Sequence, residues 1–98
     1  MGAELNVRIY KVTNDYATQW KNSVMNSLES SGNEYSGDIG MLGEGFTTRG
    51  YVASNEEEAE EYICDNHDKW DVAMAVKYYT DVDAKEPQRI MIGGWCSS

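Results

Sequence analysis

Residues 4–12, ELNVRIYKV, alternate Leu5, Val7 and Ile9 with Asn6 and Arg8. That is the two-residue period of a strand, in residues of high β propensity. The phase slips after Ile9, because the next large apolar residues are Tyr10 and Val12. A bulge or an outward-facing aromatic is the expected cause. In NDYATQWKNSVMNSLESSG, Tyr16, Trp20, Val24 and Leu28 recur every fourth residue with Ala17 beside them, which predicts one apolar helix face packed on a sheet through Trp20. Asn14 or Asp15 can cap its start, and Gly32 can supply the left-handed residue at its end. YSGDIGMLGEGFTTRGYV carries Gly37, Gly40, Gly43, Gly45 and Gly50. It fits short β segments with a hairpin near Gly43, Glu44 and Gly45, and with Ile39 and Met41 on one face.

SNEEEAEEYICDNHDKW predicts a second helix, opened by a Ser54–Glu57 capping box. Ala59, Tyr62, Ile63, Asn66 and Trp70 fall on one face, with His67 at its edge and the acids opposite. DVAMAVKYYT sets Val72, Met74, Val76 and Tyr78 against Ala73, Ala75, Lys77 and Tyr79. This is a strand with one large-residue face, and the two alanines leave room for a close neighbour on the other. After a polar loop, RIMIGGW is the last strand, paired antiparallel with the one before it. Ile90, Met91 and Ile92 run without a polar break, so this strand is expected to be well covered. The pattern predicts a single domain over residues 1–98: an α+β two-layer sandwich, two helices packed on one face of a mostly antiparallel sheet.

Charge sharpens the picture. Of 98 residues, 17 are acidic and 8 basic, a net charge of -9. Glu56, Glu57, Glu58, Glu60, Glu61, Asp65, Asp68 and Asp71 against Lys69 supply -7 of it, all around the second helix. Phosphate contacts need Lys and Arg, so direct nucleic-acid binding by this surface is disfavoured, and a basic partner fits better. No apolar run approaches the roughly 20 residues of a membrane span. The first residues, MGAELNVRIY, show neither the basic nor the apolar region of a signal peptide, so a cytoplasmic protein is expected. Two cysteines are too few for a disulfide scaffold and are expected as reduced thiols.

Candidate chemistry is sparse. Gly93-Gly94 lets the backbone bend or another group approach, and Trp95 brings an indole N–H that needs a partner. The tryptophan either closes one end of the core or lines a ligand site with Trp70. Cys96 with His67 could form a thiolate–imidazole pair, but no local signature accompanies them. Cys64, His67 and Asp68 have one-face helical spacing but lack a fourth zinc ligand. No phosphate-binding loop, nucleophile elbow or dinucleotide fingerprint is present. The expected set is therefore no catalytic residue, no metal and no cofactor.

The stretches NHDKWDVAMAVKYY and IMIGGWCSS resemble small uncharacterised proteins borne by bacteriophages, which share a KW-x-x-A-x-AV strand and a GGWCSS terminus. The resemblance covers about the second half of the chain. It implies a phage setting inside a host cell, where small acidic domains serve as inhibitors of host defence, and it carries no residue roles. Two readings follow. In the first, the chain is not an enzyme but an inhibitor that meets a basic surface of a host protein through Glu56, Glu57, Glu58, Glu60, Glu61, Asp65 and Asp68. In the second, it sequesters an anionic small molecule, a signalling nucleotide, in a pocket built from Arg49, His67, Trp70, Arg89 and Trp95. Either is compatible with a homo-oligomer.

Overall fold

A computed structural model describes residues 3–31, 42, 45–67, 72–81 and 83–97. The elements are β1 (Ala3–Lys11), α1 (Tyr16–Ser31), β2 (Phe46–Ala53), α2 (Glu56–Asn66), β3 (Ala73–Tyr78) and β4 (Arg89–Ser97). The fold is α+β: the described residues form two helices and one open, mostly antiparallel sheet of order β1-β4-β3-β2. β4 pairs antiparallel with both β1 and β3. β2 and β3 run parallel, because α2 carries the chain back across the sheet between them.

Each face of the sheet carries one helix, where the pattern predicts both on the same face. Trp20 and Val24 of α1 cluster with Ala73, Ala75, Ile90, Ile92 and Cys96. Ala59 and Ile63 of α2 cluster with Met74, Val76, Tyr78 and Met91. Side chains alternate between faces along a strand, so these clusters lie on opposite sides. The strands explain the division. β3 is buried at every position but Lys77, and β4 is buried from Ile90 through Gly94. A strand apolar on both faces needs cover on both.

The phase slip in β1 has the same origin. Its register with β4 runs unbroken from Ala3↔Ser97 to Lys11↔Arg89, so there is no bulge. Leu5 and Val7 pack on the α2 side, and Tyr10 and Val12 pack on the α1 side. The strand changes the face it contributes to. The space over Ala73 and Ala75 belongs to the cluster of the fully buried Trp20, whose indole N–H donates to the Gly45 carbonyl at 3.3 Å. Burying such a side chain contributes about 1.5–3 kcal/mol.

Local signals set the helix starts. Asp15 caps α1, accepting from the Thr18 backbone N–H at 3.3 Å and its hydroxyl at 2.7 Å. These bonds hold the Asp15 carboxyl below its usual range. The cap of α2 is Asn55, one residue beyond the predicted Ser54, and its side chain accepts from the Glu58 N–H at 2.8 Å. Glu58 reaches back to the Ser54 N–H at 3.4 Å, one residue before the cap, so the arrangement resembles a capping box with its return bond shifted by one residue. In β2 the register shifts between Thr48 and Val52, where Gly50 takes a φ of 74°, a value that favours glycine. Gly32, Ile39, Met41 and the turn at Gly43 and Glu44 lie outside the described residues.

Candidate functional site

The glycine pair, Trp95 and His67 form one assembly, and it is a structural lock. α2 ends at Asn66, and His67 is its C-cap, with its N–H on the Ile63 carbonyl at 2.9 Å. The His67 ring is 4% exposed. Its Nδ1 accepts the Trp95 backbone N–H at 3.0 Å. Its Nε2 lies 2.9 Å from the Val72 carbonyl oxygen. A backbone N–H can only donate, so Nδ1 is the acceptor nitrogen and Nε2 carries the proton to Val72. Met74 pairs with Gly93, so Val72 faces Trp95 two residues further along the β3–β4 register. The imidazole is inserted there and carries the hydrogen bonding between the strands.

The glycines make this possible. A Cβ on Gly94 would sit 2.5 Å from both Cε1 and Nε2 of the His67 ring. A Cβ on Gly93 would sit 2.1 Å from the Asn6 carbonyl oxygen and 2.6 Å from Val7 Cα. Gly93 thus lets β1 approach, and Gly94 makes room for the imidazole. The Trp95 indole N–H donates to the Cys64 carbonyl at 3.0 Å, satisfying one of the open carbonyls at the end of α2.

Of the predicted nucleotide-site residues, the structure brings His67 and Trp95 together but does not gather the arginines around them. Arg49 is exposed on β2. Arg89 opens β4 and donates to the Gln88 carbonyl at 3.3 Å. It lies six positions from Trp95 along the strand, about 20 Å. Trp70 lies outside the described residues. Cys64 and Cys96 are both free thiols. Cys96 is fully buried, with its Sγ donating to the Gly94 carbonyl at 3.6 Å. Among the described residues, no group of three or more His, Cys, Asp or Glu is placed to hold a metal ion. Among the described residues, no helix is long and apolar enough to cross a membrane.

The acids are better assembled. Glu56, Glu57, Glu60, Glu61 and Asp65 are exposed on α2, while Asp68 lies outside the described residues. Glu58 differs from its neighbours: it is half-buried and accepts the Tyr51 hydroxyl, whose ring stacks on Tyr62 at 4.2 Å. That bond holds the Glu58 carboxyl below its ordinary value and pushes the Tyr51 phenol up. Glu58 is thus tied to the fold, and the free acidic face is the rest.

Part of that face rims a groove of about 300 Å³, lined by Leu5, Glu57, Glu60, Glu61 and Cys64. Leu5 comes from β1, an edge strand whose only strand partner among the described residues is β4. The sequence did not single out Leu5, and weighed Cys64 only as a zinc ligand, because nothing local says which strand lies at the edge beneath the acidic helix. α2 holds six acids and no base. Glu56, Glu57 and Glu58 gain from the helix dipole. Glu60, Glu61 and Asp65 lie beyond the first turn, and i,i+4 pairs such as Glu57–Glu61 and Glu61–Asp65 cost a few tenths of a kcal/mol each. Helix stability therefore does not account for them.

Set beside known proteins, the chain finds no counterpart: no family model, no curated protein and no solved structure matches it.

Proposed function

We propose that this chain acts by binding, as an inhibitor or adaptor in the cytoplasm that takes a basic segment of a partner protein into the groove between α2 and β1. The carrying observation is the pairing of an apolar floor, Leu5 and Cys64, with the unshared carboxylates of Glu57, Glu60 and Glu61 in one groove. Carboxylates around an apolar floor suit a partner that alternates apolar and cationic side chains. β1 adds an open strand edge, on which an extended segment can continue the sheet. Such a segment, held in the groove, would be withheld from its other contacts, which is how occupation becomes inhibition.

The test uses a defined probe, an end-blocked peptide alternating Lys with Val, titrated into the labelled protein by NMR. Shifts are expected at residues 3–9 and 57–64. The triple charge reversal Glu57→Lys, Glu60→Lys and Glu61→Lys should weaken binding about tenfold or more, as should a rise to 0.5 M salt. Equal binding to wild type and reversal variant, or shifts confined to other strands, would remove the proposal.

A further inference from the structure

On the opposite side of the sheet, under the start of α1, lies a second and more enclosed cavity of about 310 Å³. Tyr16, Thr48, Val52, Ala75, Lys77 and Ile90 are among its walls. Lys77 is the one β3 position that is not fully buried. The chain has 17 acidic residues, yet among the described residues none pairs with the Lys77 ammonium group, and no carbonyl or hydroxyl accepts from it. A half-buried cation that has drawn no carboxylate, in a protein so rich in them, faces a space shaped for something else.

The neighbouring polar groups point the same way. The Gly50 N–H donates to Thr48 Oγ1 at 3.4 Å, which leaves the Thr48 proton for another acceptor. The Tyr16 hydroxyl has no hydrogen-bond partner among the described residues, and its ring packs near Phe46 at 6.1 Å. One cation and two hydroxyl donors thus border walls made by Val52, Ala75 and Ile90. The volume is at the small end of ligand sites.

We propose that this cavity binds a small organic monocarboxylate, its carboxylate on Lys77 with Thr48 and Tyr16 donating, and its apolar body against Val52, Ala75 and Ile90. A phosphate or nucleotide needs more donors than are present. The N-terminal amides of α1, the natural phosphate cradle, are already capped by Asp15 at Thr18. The described walls hold no second cation. This site is separate from the acid-rimmed groove, and either can fail without the other.

The test is a two-arm NMR titration of the protein with benzoate and, separately, inorganic phosphate. Benzoate should shift the amides of residues 48–52, 75–77 and 90, and phosphate should not. Lys77→Met should weaken benzoate binding about tenfold or more, while Lys77→Arg retains most of it. Reversal of the α2 glutamates should leave this binding in place. If Lys77→Met does not fold, Thr48→Val takes its place, with several-fold weaker binding expected. The proposal is overturned by the absence of benzoate shifts at these residues, by equal affinity in a folded Lys77→Met or Thr48→Val variant, or by phosphate binding as well as benzoate.

Discussion

Replacing His67 by Ala tests the ladder reading most sharply. The substitution strips partners from the Trp95 N–H and the Val72 carbonyl, which the imidazole holds at 3.0 and 2.9 Å. The Trp95 N–H sits on a half-buried residue, and leaving it unsatisfied costs about 1–3 kcal/mol. Val72 is exposed, so its carbonyl can turn to water, and the void left by the ring adds to the cost. A total loss of about 2–4 kcal/mol is expected, a large share of the roughly 5–15 kcal/mol that stabilises a small domain. Gly94→Ala attacks the same contact from the other side. Its Cβ would stand 2.5 Å from a ring pinned at both nitrogens, so the ring cannot swing clear without losing a bond. That overpacking should cost about 1–3 kcal/mol. In the His67→Ala background the ring is gone, and the added methyl enters the void it leaves. Gly94→Ala should then be near neutral or stabilising. Urea unfolding of the wild type, both single variants and the double variant, followed by far-ultraviolet circular dichroism at pH 7, gives the coupling. It should exceed about 1 kcal/mol. Additivity within about 0.5 kcal/mol would refute the account, since it would mean that ring and glycine do not share the space.

Gly93→Ala should be more damaging than Gly94→Ala, because its Cβ meets the backbone of Asn6 and Val7 and not a side chain. A loss of about 3 kcal/mol or more is expected, with hydrogen exchange fastest in β1. Glu58 should give stability a pH dependence. Its folded carboxyl lies below the ordinary value through the Tyr51 hydroxyl, so its contribution is full above the unfolded carboxylate range, about pH 4.3, and fades as pH falls through the depressed folded value. The stability gap between wild type and Glu58→Gln, measured by urea unfolding, should therefore shrink between about pH 5 and pH 3. A gap that widens in acid would contradict the Tyr51–Glu58 assignment.

Periodicity made most of the elements legible. Tyr16, Trp20 and Val24 marked the α1 face, and Ala59 and Ile63 marked the α2 face, because burial on one side leaves a 3.6-residue trace. The layering was written in the strands. Ile90-Met91-Ile92 and the β1 shift from Leu5 and Val7 to Tyr10 and Val12 both report a sheet covered on two sides. β2 was obscured because Gly45 and Gly50 break alternation and its parallel partner arrives only after α2. His67 left no local trace of its role. An imidazole that completes a strand ladder depends on residues 67, 72 and 95 meeting in space. The sequence showed only its corollary, glycines before a tryptophan whose indole N–H required a partner. The acids of α2 were plain in the sequence, but their separation into the tethered Glu58 and the groove-rimming Glu57, Glu60 and Glu61 depended on Tyr51 and Leu5, from other elements.

The binding account rests on the groove, and native mass spectrometry after incubation with a bacterial cell extract tests it most directly. Wild-type protein and the Glu57→Lys, Glu60→Lys, Glu61→Lys variant would be repurified side by side at low and high salt. The account predicts a defined protein adduct on the wild type, absent from the folded reversal variant and released from the wild type by salt. An adduct carried equally by both proteins, or the bare chain mass in every sample, would contradict it.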